Sequence, residues 1–192
     1  MARKSLIMYS SHTGNTEKVA LRFKAAFEKK GWECDLFKFK KNMTKADLPD
    51  YNNYDFLCMG SPVEFKLPTE ELQSVLNPKH GPFKPGEGPP KNVKQEIVFD
   101  ADCKKGAVFA TFSGHHLGMK EPEPALVFME SMVEHARFQC VGKFACPGHM
   151  FDGMTGWFDD INERPNERDL QKAEIFIEEI VEEYYQSFRD KK

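Results

Sequence analysis

The most informative stretch of this sequence is Ser10-Ser11-His12-Thr13-Gly14-Asn15-Thr16-Glu17. It follows a short apolar run, residues 5–10, and leads straight into residues 17–30, where apolar side chains recur at helical spacing. A helix that begins here would leave its first backbone N–H groups without partners, and their partial positive charge suits an anion. The stretch therefore predicts a phosphate-binding loop that joins a strand to a helix.

The residue types of this loop favour one phosphate group held by neutral donors. Gly14 permits a tight turn, and Ser11, Thr13 and Thr16 offer hydroxyl groups. A Walker A loop would end in Gly-Lys-Ser/Thr, and a dinucleotide fingerprint would carry three glycines at GxGxxG spacing; the stretch has neither. The purely structural alternative is a helix capped by Ser, Thr or Asn after a tight turn. We expect His12 to face solvent.

Outward from this loop, apolar runs alternate with helix-like stretches, which predicts an α/β fold with a parallel sheet and crossover helices. Strands are expected at residues 5–10, 32–39, 55–60, 106–112 and 138–146, the second of them at an edge. Helices are expected at residues 17–30, 68–76, 123–137 and 166–189. The buried face of the first helix should comprise Val19, Ala20, Phe23, Ala26 and Phe27, with Gly31 at its end. The last should begin at a capping box, Asn166 with Asp169.

The chain of 192 residues suits one domain with two irregular excursions. Residues 77–105, rich in proline and glycine, are expected to form a surface insertion, in which residues 95–99 could add a short strand. Residues 148–165 form a long loop with many apolar side chains, which suggests a lid, a docking patch or packing against the insertion. Residues 40–53 should be a loop or one short helix. The acids Glu178, Glu179, Glu182 and Glu183 are expected to form a solvated helix face.

Composition excludes several classes of function. The formal net charge of −3 and the lack of a basic stripe argue against a nucleic-acid partner. The first apolar run is too short for a signal-peptide core or a membrane span, so we expect a cytoplasmic protein. Five cysteines without a CxxC pair argue against a zinc or iron–sulfur site, so we expect no metal and reduced thiols of structural role.

The pattern Ser11-x-Thr13-Gly14-x-Thr16 resembles the FMN phosphate loop of the flavodoxin family, which also links the first strand to the first helix. Gly60-Ser61-Pro62 resembles the start of that family's first flavin-flanking loop, and Phe112-Ser113-Gly114-His115-His116 resembles the second. The segment 164–170 resembles flavodoxin-like proteins of anaerobic microbes. This resemblance implies a doubly wound five-stranded parallel sheet of order 2-1-3-4-5, with helices on both faces, and FMN as the cofactor.

Carried over by position, the resemblance implies three groups of cofactor-binding residues and no catalytic amino acid. The phosphate would be held by Ser10, Ser11, His12, Thr13, Gly14, Asn15 and Thr16. The flavin would be lined on one side by Ser61, Pro62, Val63, Glu64 and Phe65, and on the other by Phe112, Ser113, Gly114 and His115.

Two departures from the family pattern bear on the flavin. No glycine follows Gly60 before Gly81, so the peptide flip that flavodoxins use on reduction should cost more, and we expect weaker stabilisation of the semiquinone. In the second loop, His115 and His116 replace the common stacking tyrosine; either could stack on the flavin or steady its anionic reduced form, or both could be exposed loop residues.

The first functional hypothesis is an FMN-dependent electron carrier that meets a reductase and an acceptor enzyme through the exposed flavin edge. The alternative is an FMN-dependent NAD(P)H reductase of a quinone or similar small acceptor. The two excursions and the modest net charge favour this alternative. The lack of a recognisable nicotinamide motif, and of the long glycine-rich elements of the superfamily's tetrameric quinone reductases, argues against it. A third possibility is a flavin-binding regulatory module without turnover.

Overall fold

A computed structural model of the protein describes residues 2–76, 99, 102–149 and 163–186. The strands are β1 (Lys4–Tyr9), β2 (Glu33–Lys38), β3 (Phe56–Pro62), β4 (Lys105–Phe112) and β5 (Gln139–Pro147). The α-helices are α1 (Asn15–Lys29), α2 (Glu70–Leu76), α3 (Glu123–His135) and α4 (Glu167–Val181). Each begins and ends within two residues of its predicted bounds, except that α4 was expected to continue to residue 189 and ends at Val181.

The five strands form one sheet of order β2-β1-β3-β4-β5, in which every neighbouring pair is parallel. This confirms the α/β class, the doubly wound order and the edge position of the second strand. The order reverses between β1 and β3, and in sheets of this kind ligands bind beyond the carboxyl ends of the strands at such a switch point.

Helix α1 forms because its apolar residues recur at helical spacing, and the predicted face is confirmed: Val19, Ala20, Phe23, Ala26 and Phe27 are fully buried. Gly31 has φ +80°, a conformation that glycine adopts without steric cost, so the chain turns out of the helix there. With α4, this face covers one side of the sheet, while α2 and α3 cover the other. The core therefore lies in two layers on either side of the strands.

Helix α4 begins at the predicted capping box, in which the Asn166 side chain accepts from the Asp169 N–H and the Asp169 carboxylate accepts from the Asn166 N–H. The acidic stretch of this helix is more than a solvated face. Glu178 lies 2.7 Å from the Lys29 ammonium and Glu182 pairs with Lys30, so two of the four acids bind lysines where α1 ends. After α4, a π-helical turn covers Glu182–Gln186.

Among the segments that were expected to be irregular, residues 40–53 have a different secondary structure from the one predicted. Residues 40–53 contain two short 3₁₀ helices, Lys45–Asp47 and Tyr51–Asn53, instead of one helix or none, because side chains such as Asp50 cap short turns locally. The predicted insertion and strand at residues 95–99 fall almost wholly outside the described residues, as do residues 150–162 of the predicted lid. Helices long and apolar enough to cross a bilayer are absent from the described part of the chain.

All five cysteines are free thiols, and Cys34, Cys58 and Cys146 are buried. Burial raises the pKa of Cys34 to about 11 and that of Cys146 to about 12, which keeps both protonated at neutral pH. They serve as small apolar side chains in the core, as their spacing indicated.

Candidate functional site

Three loops meet at the carboxyl edge of the sheet: the β1 loop (residues 10–16), the β3 loop (residues 61–67) and the β4 loop (residues 112–120). Their strands are adjacent in the order β1-β3-β4. Two backbone hydrogen bonds continue the strand pairing into the loops, from the Ser10 N–H to the Gly60 carbonyl at 3.0 Å and from the Val63 N–H to the Thr111 carbonyl at 2.8 Å. The sheet thus places all three predicted groups of site residues at one edge.

The β1 loop turns sharply into α1 at Gly14, which has φ +84° and caps the helix without a side-chain hydrogen bond. The first helical hydrogen bond runs from the Lys18 N–H to the Gly14 carbonyl at 3.0 Å. Within the described residues, the N–H groups of residues 11–16 donate no hydrogen bond to a protein acceptor. Consecutive unpaired amides at a helix start form a concave anion site, so this loop fits a phosphate group.

Two polar side chains shape this loop. Ser11 Oγ accepts from the Glu17 N–H at 3.3 Å. Asn15 Nδ2 donates to Thr13 Oγ1 at 3.1 Å and to the His149 carbonyl at 2.8 Å, which fastens the loop to the segment after β5. Thr13 remains exposed at the surface of the loop. Its hydroxyl hydrogen is therefore free to be donated outward while its oxygen accepts from Asn15.

Ser10 and Ser61, both predicted to contact the cofactor, have hydroxyl groups committed to an interior network. Ser10 Oγ lies 3.1 Å from Ser61 Oγ and accepts from Thr69 Oγ1 at 2.7 Å. Ser61 Oγ accepts from the Thr69 N–H at 2.9 Å. All three residues are buried. Their side chains therefore fix the β1 loop, the β3 loop and the start of α2 relative to one another.

Thr16 is likewise turned inward. Its Oγ1 lies 2.8 Å from Oγ1 of Thr111, and both residues are buried. Thr111 precedes the β4 loop, so this contact locks the start of α1 to the end of β4. With its hydroxyl in this contact, Thr16 retains its backbone N–H as a donor for a ligand in the loop.

The β3 loop contains a strained turn. The Glu64 N–H donates to the Leu67 carbonyl at 2.8 Å, and the Leu67 N–H donates to the Glu64 carbonyl at 2.9 Å. The two residues between them, Phe65 and Lys66, have φ +49° and +68°. Positive φ at both central positions is typical of a type I′ turn, which favours Asn and Gly. A side chain in this region costs about 1–2 kcal/mol per residue. Phe65 is nevertheless 100% exposed at the tip, and such strain is concentrated at functional sites.

The β4 loop starts from a buried residue and ends in a short 3₁₀ helix, His115–Lys120. The Phe112 side chain is buried, and its carbonyl accepts from the Gly148 N–H at 2.9 Å. Ser113 and Gly114 are half-buried. A Cβ at Gly114 would lie 2.8 Å from Cδ of Glu121, so a larger residue there would require the Glu121 side chain to move. The side chains of His115 and His116 are not among those that the structure describes, so their predicted roles stay predictions.

His12 is exposed, as expected, but it is not simply solvated. Its Nδ1 lies 3.0 Å from a carboxylate oxygen of Glu64, and its Nε2 lies 3.2 Å from one of Glu71. Burial would raise the pKa of Glu71, but hydrogen bonds from its own backbone, the nearby His12 and Thr69 outweigh burial and lower it. The ring thus bridges the β1 loop, the β3 loop and α2.

Behind the loop, Glu17 binds two side chains on the α1 face of the sheet. Tyr9 donates its hydroxyl hydrogen to Glu17 at 2.8 Å, and Lys38 donates at 2.9 Å. The hydrogen bond from Lys38, followed by that from Tyr9, lowers the pKa of Glu17. Burial and the bond to Glu17 raise the pKa of Tyr9. The Glu17 charge is therefore compensated locally and does not oppose an anion in the β1 loop.

Sequence reasoning missed Thr69, Thr111 and Glu71. Thr69 precedes a helix and Thr111 ends a strand, so each pattern suggested an ordinary structural role. Their contacts with Ser10, His12 and Thr16 cross 59 to 95 positions of sequence, and no local pattern carries such information. The chain also leaves apolar side chains exposed on both flanking loops, Leu67 on one and Leu117 and Met119 on the other.

Comparison with known proteins identifies the fold. No family model matches the chain, and no curated protein matches it by sequence. Among solved structures, oxidised flavodoxin 2 from Bacillus cereus superposes with a TM-score of 0.62 at 18% identity, covering 94% of this chain and 99% of its own. A flavodoxin from the domain Archaea gives 0.57 at 14% identity over 94% and 98% of the two chains.

A third match is a WrbA-like flavodoxin protein from Agrobacterium tumefaciens, with a TM-score of 0.59 at 12% identity over 96% of this chain and 99% of its own. At such identities the similarity is one of architecture. It covers nearly the full length of both chains in each case. The protein described here therefore has a flavodoxin-like fold.

Proposed function

We propose that the protein binds one FMN and acts as an electron carrier between redox proteins. The observation that carries this proposal is the β1 loop, whose unpaired amides lie at the start of α1 and at the switch point of the sheet. The phosphate would be held by these amides and by the Ser11 and Thr13 hydroxyls. The matched structures that are named flavodoxins support this choice of ligand, because FMN is the cofactor that the resemblance to the flavodoxin family implies.

The two flanking loops would supply the walls of a flavin site. Pro62, Val63 and Phe65 offer apolar surface on one side, and the backbone of Ser113 and Gly114 offers polar groups on the other. Bound FMN would supply reversible transfer of electrons. The protein's own part is to orient the ring, to desolvate it partly and to leave an edge open for a partner.

The alternative is an FMN-dependent reductase that takes hydride from NAD(P)H and reduces a quinone or similar small acceptor. The exposed apolar side chains Phe65, Leu67, Leu117 and Met119 favour it, because a small apolar acceptor needs apolar surface beside the flavin. The same surface would also suit a transient protein partner, which contributes apolar and aromatic contacts at the centre of an interface.

The spectrum of the purified protein and its response to nicotinamides test both proposals. We expect a yellow protein, or an apoprotein that takes up FMN, with flavin absorbance that is bleached without air by dithionite or an added reductase. Rapid bleaching by NADH or NADPH alone would replace the carrier by the reductase. A colourless protein that cannot be reconstituted with FMN would contradict both.

A further inference from the structure

Three buried hydroxyl groups link the start of α2 to the β3 loop. Thr69 Oγ1 donates to Ser10 Oγ at 2.7 Å, and Ser10 Oγ lies 3.1 Å from Ser61 Oγ. Ser61 Oγ in turn donates to the carbonyl of Pro62 at 2.8 Å. The exposed fraction of each residue that carries one of these hydroxyls is 1% or less, so water does not reach them. Together these contacts form one hydroxyl chain.

The number of hydrogens fixes the direction of every bond in the hydroxyl chain. A hydroxyl group carries one hydrogen and can accept two more. Ser61 donates its hydrogen to the Pro62 carbonyl, so in the contact with Ser10 it can only accept. Ser10 therefore donates to Ser61, and its oxygen accepts the hydrogen of Thr69. The hydroxyl chain runs in one direction, from Thr69 to Pro62.

Thr69 bonds both serines, through its side chain and its backbone. Its N–H donates to Ser61 Oγ at 2.9 Å, so that oxygen accepts twice and donates once, which is its full capacity. The Thr69 hydroxyl also interacts with Glu71. Against burial, the backbone of Glu71 and the nearby His12 lower the pKa of Glu71 more than Thr69 does. The hydrogen of Thr69 is accordingly assigned to Ser10, at 2.7 Å.

The far end of the hydroxyl chain fixes the first peptide of the β3 loop. The Pro62 carbonyl accepts from Ser61 Oγ, and on the other side of the same peptide the Val63 N–H donates to the Thr111 carbonyl at 2.8 Å. With both groups bound, the peptide cannot turn without breaking two hydrogen bonds. The side chains of Pro62 and Val63, which are half-buried, are thereby held in one direction.

We propose that Thr69 is a positioning residue that, through the hydroxyl chain, holds the Pro62–Val63 peptide as a wall of the FMN site. The inference rests on the proposed function, in which Pro62 and Val63 line the flavin. Thr69 is buried at the start of α2 and makes no contact with the cofactor in this account. A wall that is already in place raises affinity, because binding then costs less ordering of the loop.

The test is a titration of the apoprotein with FMN, followed by quenching of flavin fluorescence, in T69V, T69S, S10A and V133A beside wild type. T69V keeps the shape of the side chain but removes the first hydroxyl, whereas T69S retains it. S10A breaks the same chain at its centre, which keeps the test available if T69V does not fold. V133A is the control, because Val133 is buried in α3 and packs against Gly106 near the opposite edge of the sheet.

We expect T69V and S10A to bind FMN about three- to tenfold more weakly than wild type, which corresponds to the loss of one buried hydrogen bond. T69S should bind FMN as wild type does, because the hydroxyl chain is then complete. V133A should lower the free energy of unfolding in urea without a change in FMN affinity, since a smaller core side chain leaves the hydroxyl chain intact.

The double variant T69V/S10A shows whether Thr69 acts through Ser10. If it does, the double variant binds FMN no more weakly than the weaker single variant. Multiplied losses, wild-type affinity in both single variants, or a T69S protein as weak as T69V would overturn the inference while FMN binding by wild type stands. Failure of wild type to bind FMN would instead contradict the proposed function, and the positioning role with it.

Discussion

Thr16 and Thr111 meet through their hydroxyl groups at 2.8 Å in the protein interior, although 95 positions separate them in the chain. Replacing Thr111 with valine keeps the shape but leaves the Thr16 hydroxyl buried without this partner. We expect T111V to lower the free energy of unfolding by about 1–3 kcal/mol. The double variant T16V/T111V should recover most of that loss, because both polar groups are then removed. Urea unfolding of the three proteins checks this, and a double variant as unstable as the sum of the singles would contradict it.

Thr13 and Thr16 should differ in their effects on FMN. The Thr13 side chain is exposed in the β1 loop, whereas that of Thr16 is buried against Thr111. T13A should weaken FMN binding by about 1.5–3 kcal/mol if its hydroxyl donates to the phosphate, with little loss of stability. T16A should chiefly reduce stability. Calorimetric titration with FMN beside urea unfolding separates the two effects, and unchanged affinity in T13A would remove Thr13 from the site.

Gly14 and Gly31 form a matched pair, since both have positive φ and neither has an atom within 4 Å of where a Cβ would lie. Alanine at either position should cost about 1–2 kcal/mol of stability through backbone strain. Only G14A should also weaken FMN binding, because Gly14 sets the direction of the amides at the start of α1. Equal affinity of G14A and G31A for FMN would argue against a phosphate in this loop.

Phe65 and Lys66 should respond differently to glycine. K66G should raise the free energy of unfolding by about 0.5–1 kcal/mol, because relief of positive φ exceeds the entropic cost of glycine. Rotating the peptide between these residues would convert the type I′ turn into type II′, which demands glycine at the first central position, held here by Phe65. The turn should therefore resist such rotation.

The two one-electron potentials of the FMN-loaded protein should consequently overlap in a spectroelectrochemical titration. F65G should separate them by allowing the rotation, while K66G, the control, should not. Two well-separated one-electron potentials in the wild-type protein would contradict this, because they would show that the peptide of the β3 loop rotates in spite of Phe65.

Glu17 should make stability depend on acidic pH. Its pKa is lowered in the folded protein by hydrogen bonds from Lys38 and Tyr9. A lowered folded pKa means that the contribution is present above the unfolded value, about 4.3, and disappears as the pH falls through the folded value. Wild type should exceed E17Q in unfolding free energy by about 1 kcal/mol at pH 7, and the difference should shrink as the pH falls below the unfolded pKa. Unfolding curves at pH 7 and pH 3 check this, and a difference at pH 3 as large as that at pH 7 would contradict it.

Local signals in the sequence were sufficient for the strands and α-helices, whereas the order of the strands in the sheet was predicted from the resemblance to flavodoxins. The apolar spacing of α1, the turn at Gly31 and the Asn166–Asp169 capping box each depend on residues within one or two helical turns. The position of Gly14 between a strand and a helix was enough to predict a phosphate loop, because free amides at a helix start are a property of the backbone. Only a few sheet topologies are then possible, because the strands are parallel and are joined by helices.

The direction of each polar side chain at the site depended on packing between distant segments. Ser10 and Ser61 look like ligand donors in sequence, yet they bond each other and Thr69, because the pairing of β1 with β3 brings their buried hydroxyls together. His12 looks like an exposed loop residue, yet it meets Glu64 and Glu71. Hydrogen bonds of this kind are set by strand register and helix placement, which arise from burial of the whole core and leave no trace in the spacing of neighbouring residues.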